Sequence, residues 1–274
     1  MKIDAHQHFW KYNPREYDWI DDSMAALRRD FLPEHFQAEM IAGGFQGSIA
    51  VQTRSSLDET RWLLNLADHH PFILGVVGWV DLRSPEVSHQ LASLAGRAKL
   101  VGIRHIVQSE PDDAFLLRPD FLRGIAALGV FELAYDILIY PKQLPAAIDF
   151  VGRFERHRFV LDHLGKPHIK AGSTISFASW ARQIQELAAF PNVFCKLSGL
   201  VTEADWNAWT AEQLRPYVTR VLEWFGPQRC MFGSDWPVCL VAASYEQVVT
   251  SMREIVGDDD DVFGATAHRV YRLS

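Results

Sequence analysis

Two histidines stand two residues apart almost at the start of the chain, His6 and His8 in "DAHQHFW". On a strand, residues at that spacing share a face, so the two imidazoles would project together. Candidate partners recur downstream, Asp162 and His163 in "VLDHLG" and Asp235 in "GSDWP". Three imidazoles and a carboxylate, from His6, His8, His163 and Asp235, can hold one zinc-like divalent ion, with water completing the shell. The same set can work without a metal. Asp235 would then act as general base on a water that the histidines orient. The spacing leaves both schemes open.

Residues this far apart need a scaffold that gathers them. Eight apolar runs bounded by turn residues read as strands, at 2–8, 47–53, 72–80, 100–107, 130–138, 158–165, 193–200 and 229–237. They are rich in Val, Ile, Leu and Phe, and few alternate cleanly, which fits a parallel sheet buried on both faces. Helical spacing fills 56–70, 85–96, 119–129, 143–157, 176–190 and 210–226, with Gly96, Gly129 and Gly226 as expected C-terminal caps. This alternation predicts an α/β chain folded as a single-domain (β/α)8 TIM barrel over residues 1–274. An open doubly wound sheet would want a Gly-rich phosphate loop after its first strand, and none stands there. The segment from about 9 to 33 is dense in Trp10, Tyr12, Tyr17 and Trp19. It is long for a strand-to-helix connection and is expected to be lid-like.

Barrels of this kind carry their chemistry at the C-terminal ends of the strands. Each predicted strand delivers a polar group there. Beyond those already named, these are Gln52 with Arg54, Trp79 with Asp81, Arg104 with His105, Tyr135 with Asp136, Lys196 with Ser198, and Trp236 beside Asp235. Structural roles compete for several of them. His105 can be a satisfied core histidine, Lys196 an ion-pair partner of Asp162 or Glu203, and Arg54 a helix cap or partner of Asp58. His69, His70, His89 and His157 fall at helix ends or faces and read as surface residues. The acidic run "GDDDD" at 257–261 reads as a solvated loop.

A formal net charge of −7 argues against a nucleic-acid partner, which asks for a clustered basic surface. No apolar run reaches the roughly 18 residues of a membrane span, so no membrane partner is expected. Lys2, Ile3 and Asp4 open no signal-peptide core. Cys195, Cys230 and Cys239 are odd in number and lack metal-site spacing. A cytoplasmic location is expected.

The motifs "DAHQHFW", "VVGWVDL", "GIRHIVQSE", "VLDHLGKP", "CKLSGLVTEADW" and "MFGSDWPVC" resemble the amidohydrolase superfamily over nearly the whole chain. More narrowly, the chain is similar to its sugar-lactonase branch, the group of L-fuconolactonases and L-rhamnonolactonases. The resemblance implies that His6 and His8 are the strand-1 pair, His163 the strand-6 histidine and Asp235 the strand-8 aspartate. "GIRH" stands where metal-rich members carry a strand-4 lysine, so at most one ion, zinc for instance, is implied. The branch also includes metal-independent hydrolysis. The implied reaction opens a sugar lactone such as L-fucono-1,5-lactone, or its L-galactono or L-rhamnono relative, to the aldonic acid. Asp235 would be the base, and His163, His105 and Arg104 candidates to hold the oxyanion. Trp79 and Trp236 would cover the apolar face of the sugar. Arg54, Asp81, Arg104, Tyr135 and Lys196 would bind its hydroxyls. A decarboxylase, or a lactonase for a carboxylated dicarboxylic lactone, is the second enzymatic reading. A non-catalytic sugar- or metal-binding barrel is the reading outside enzymes.

Overall fold

In a computed structural model, which describes residues 1–274, eight parallel strands follow one another in chain order. They are β1 (Ile3–Gln7), β2 (Gly47–Val51), β3 (Ile73–Gly78), β4 (Leu100–His105), β5 (Ala134–Ile137), β6 (Phe159–Leu161), β7 (Val193–Leu197) and β8 (Cys230–Phe232). A parallel bridge between Gln7 and Trp236 closes the ring. There the His8 N–H donates to the Trp236 carbonyl at 2.7 Å and the Asp235 N–H to the His6 carbonyl at 2.8 Å. Asp4 reinforces this seam, its Oδ1 accepting from the N–H of Ser234 at 2.9 Å and of His6 at 3.2 Å. The barrel therefore closes on the segments that carry His6, His8 and Asp235.

The helices are α1 (Pro33–Ala42), α2 (Leu57–His69), α3 (Val87–Ala92), α4 (Pro119–Val130), α5 (Leu144–Gly152), α6 (Thr174–Ala188), α7 (Leu200–Glu203), α8 (Ala211–Phe225), α9 (Tyr245–Val256) and α10 (Thr266–Val270). Side chains that satisfy free N–H groups start several of them. The Ser56 hydroxyl caps α2, and Thr210 with Gln213 and Ser244 with Gln247 form capping boxes on α8 and α9. Gly226 ends α8 at φ 73. Gly129 instead lies inside α4, and Gly96 lies beyond the end of α3, so neither is a cap.

Strand alternation sorts the side chains. On β5 and β6, Ala134, Asp136, Val160 and Asp162 point into the barrel, while Tyr135, Phe159 and Leu161 pack against the helices. Apolar residues such as Ile3, Ile49, Val77 and Met231 fill the lower interior together with Val270, Tyr271 and Leu273 of the C-terminal segment. The long loop after β1 is pinched at its base, where Trp10 and Phe31 exchange two backbone hydrogen bonds of 2.9 Å. No helix is long and apolar enough to cross a membrane.

Candidate active site

His6, His8 and Asp235 meet where the seam closes. His6 Nε2 lies 3.2 Å from His8 Nε2, and His8 Nε2 lies 3.2 Å from Asp235 Oδ1. The distance from His6 Nε2 to that oxygen is 3.7 Å. His8 Nδ1 donates to the Val51 carbonyl at 2.7 Å, which leaves a lone pair on Nε2. His6 Nδ1 lies 3.2 Å from the Lys196 ammonium and 3.4 Å from Asp162 Oδ1. Ligand atoms of His6, His8 and Asp235 converge here, a group able to hold a divalent cation. A tetrahedral zinc with bonds of about 2.0–2.1 Å holds its ligand atoms about 3.3 Å apart. The donor set fits a divalent ion. His163 stands aside from this trio and groups with His6 and Asp162 instead, so the four ligands expected from the sequence do not form one cluster.

His163 sits on an unusual turn. His163, Leu164, Gly165 and Lys166 all have left-handed backbone, with φ of 55, 54, 68 and 53°. The Lys166 N–H closes the turn on the His163 carbonyl at 2.8 Å. Each non-glycine residue there costs about 1–2 kcal/mol, strain of the kind that gathers at functional sites. Asp235 shares it at φ 58°. Two glycines admit the imidazoles. A Cβ on Gly199 would stand 2.5 Å from His163 Nδ1, and one on Gly233 would stand 2.5 Å from His6 Cβ.

A buried charge network supports His6. Arg104 pairs with Asp162 at 2.9 Å, reaches His6 Nε2 at 3.3 Å and holds the Gln52 carbonyl and side chain. The Lys196 ammonium lies 2.5 Å from Asp136, 3.1 Å from Asp162 and 3.2 Å from His6 Nδ1. Burial, with the Lys196 charge beside it, keeps His6 well below the usual histidine pKa. Burial also pushes His163 down to about 4, although Asp235 and Asp162 pull the other way. For Asp235, burial favours the neutral acid, but the neighbouring His163, His8 and His6 outweigh it. Its pKa falls well below the usual carboxylate value, so it is ionised at neutral pH.

The other expected residues fall in different places. His105 follows inward-facing Arg104 and so faces away. Its Nε2 binds Glu110 at 2.7 Å, its Nδ1 accepts from the Trp79 indole at 3.2 Å, and its ring stacks on Phe115. Neither nitrogen is free for an oxyanion. Tyr135 is buried among Phe121, Phe150 and Phe159, outside the barrel. The Trp236 indole is buried among Phe9, Phe31 and Phe36, so neither ring offers a sugar a face or a hydroxyl. Arg104 and Lys196 are spent on the network. Arg54 pairs with Glu16 at 2.8 Å, joining the long loop to the end of β2. Asp81 accepts from the Arg83 N–H in its own turn. His157, expected at the surface, is buried against Phe159.

Of four further contributors, Asp136, Asp162 and Ser198 are legible in the sequence only as strand-end groups without a specific role, and Lys166 drew no reading. Asp136 and Asp162 anchor the network, and the Ser198 hydroxyl lies 2.9 Å from His163 Nδ1. The fourth, Lys166, pairs with Glu203 at 3.1 Å. Burial opposes its charge, but Glu203, Tyr140 and Asp235 more than offset that and hold its pKa above the ordinary lysine value.

A parallel eight-stranded barrel with a histidine pair on its first strand and an ionised aspartate after its eighth is the frame of a barrel hydrolase. A family described as Amidohydrolase matches residues 3–273, and the chain belongs to it. An L-fucono-1,5-lactonase from Burkholderia multivorans is 43% identical over 100% of this chain and 96% of its own. One from Burkholderia ambifaria is 40% identical over 89% of this chain and 83% of its own. A crystal structure of an amidohydrolase from Burkholderia multivorans, with zinc bound, superposes with a TM-score of 0.96 at 43% identity, covering 100% of both chains.

Proposed function

We propose that this enzyme hydrolyses a sugar lactone to its aldonic acid, with L-fucono-1,5-lactone or a close relative as substrate. The carrying observation is the ionised Asp235 beside the His6–His8 pair, in a chain 43% identical to an L-fucono-1,5-lactonase along its full length. Asp235 takes a proton from water as the water attacks the ring carbonyl. His163 is neutral, and the Ser198 hydroxyl donating to its Nδ1 leaves Nε2–H to meet the developing oxyanion. When the intermediate collapses, Asp235 returns the proton to the leaving ring oxygen. His6, His8 and Asp235 would hold one divalent ion, zinc being the favoured one. Bound there, it supplies Lewis-acid polarisation. A carboxylated lactone would ask for convergent arginines, and Arg104 is spent on Asp162 while Arg54 is paired with Glu16.

A pH-indicator assay across 1,4- and 1,5-aldonolactones tests the reading, with the highest kcat/KM expected on L-fucono-1,5-lactone. Asp235→Asn should lower kcat by about 10²–10⁴-fold. A variant as fast as the parent would rule out the base. The ion is tested by elemental analysis. The parent should carry up to one equivalent of zinc per chain and His8→Ala almost none. Equal zinc in both would remove the site.

A further inference from the structure

Three segments at the C-terminal side of the barrel bring Tyr140, Lys166 and Glu203 together, from behind β5, β6 and β7, with Glu203 ending α7. The Lys166 ammonium lies 3.1 Å from Glu203 and 5.5 Å from the centre of the Tyr140 ring. The two charged side chains are 16% and 15% exposed, buried on most sides and open on one. A simple fastening of segments accounts poorly for this pair. The segments are already joined, since the Lys170 N–H donates to the Glu203 carbonyl at 2.9 Å and the Lys170 ammonium lies 3.3 Å from Asp205. Lys166 also stands on the left-handed turn that sets His163, closed by its own N–H on the His163 carbonyl. The same strained turn therefore carries both His163 and Lys166. The ammonium has three donors, and Glu203 is the one carboxylate it reaches.

We propose that Lys166 and Glu203, backed by the Tyr140 ring, form a subsite that binds the hydroxyls of the sugar lactone and selects it over lactones that lack them. An ammonium donates to hydroxyl oxygens, an adjacent carboxylate accepts from hydroxyl hydrogens, and an aromatic face meets the C–H side of a sugar. The assignment rests on the sugar-lactone reading above.

The test compares L-fucono-1,5-lactone with δ-valerolactone, a six-membered lactone without hydroxyls, followed as substrate or as competing inhibitor. Lys166→Met and Glu203→Gln should each reduce the preference for the sugar lactone at least tenfold, through KM rather than kcat. Lys166→Arg should restore part of it. The preference is a ratio within one preparation, so a misfolded fraction does not move it. A preference within twofold of the parent in both variants overturns the subsite. An equal loss on both lactones, carried by kcat, also overturns it. A parent active on the sugar lactone with unmoved variants sinks this assignment alone, whereas a parent inactive on every aldonolactone sinks the lactonase reading and the subsite with it.

Discussion

Gly199 shows how narrowly His163 is placed. Its φ of 64° is left-handed, and any side chain there would meet the imidazole. Gly199→Ala should push the ring off its position, and a displacement of about 1 Å can cost on the order of 100-fold in rate. We expect kcat on the lactone to fall by about that factor, measured beside the parent at equal folded fraction by circular dichroism. An unchanged kcat would mean that His163 does not need its observed position. Residue types made His6, His8, His163 and Asp235 legible in the sequence, because imidazoles and a carboxylate at strand ends have few packing reasons to be there. The misplacements of His105 and Tyr135 share one cause. At the ends of β4 and β5 two neighbouring residues were candidates, and alternation admits one of them. Arg104 and Asp136 point inward, which turns His105 and Tyr135 out.

The eight strands were legible from their apolar runs, but their last residues were not, because those leave the sheet. The segment after β6 becomes the left-handed turn, and the segment after β8 carries Asp235 at φ 58°. Neither shape follows from the residue types, since Leu164 and Lys166 ordinarily avoid it. Helix α1 escaped for another reason, since its buried Pro33, Phe36 and Met40 make a thin apolar stripe. Helix α9 escaped as well, although its capping box, Ser244 with Gln247, stands in the sequence as plainly as that of α8. The closing seam depends on a residue that drew no functional reading, Asp4. Asp4→Ala would strand the buried N–H groups of Ser234 and His6, each costing about 1–3 kcal/mol. Asp4→Asn keeps an acceptor in place. Urea unfolding should show a loss of about 2–6 kcal/mol for the alanine variant and a smaller one for asparagine. Equal losses would show that the acceptor is not what holds the seam.

The C-terminal segment ties the bottom of the barrel to the site. The Tyr271 hydroxyl donates to Asp136 at 2.8 Å, Asp136 holds Lys196, and Lys196 touches His6. Tyr271→Phe should therefore destabilise the fold by about 1.5–3 kcal/mol, the worth of a hydrogen bond to a charged group. A denaturation midpoint equal to the parent's would show that the link carries no load.

Ionisable groups buried across the molecule also give stability a pH dependence of mixed sign. Burial lowers His157 to about 4, with the nearby Arg158 charge adding to the effect. The unfolded chain thus binds its proton more readily, and the stability contribution is full above about pH 6.5 and lost as pH falls toward 4. His163 acts in the same direction. Asp4 and Asp136, raised by burial to about 6, act in the opposite one, their contribution being lost as pH rises from about 3.8 to 6. The opposing slopes mask each other in the parent, so a comparison with a variant isolates one. His157→Phe keeps a ring against Phe159 and removes the titrating nitrogen. Its stability relative to the parent should increase as pH drops from 7 to 4.5, with a limiting slope of about 1.4 kcal/mol per pH unit. Urea denaturation of both proteins at the two pH values measures this. A difference that stays constant with pH would mean that the His157 proton is bound alike in the folded and unfolded chains.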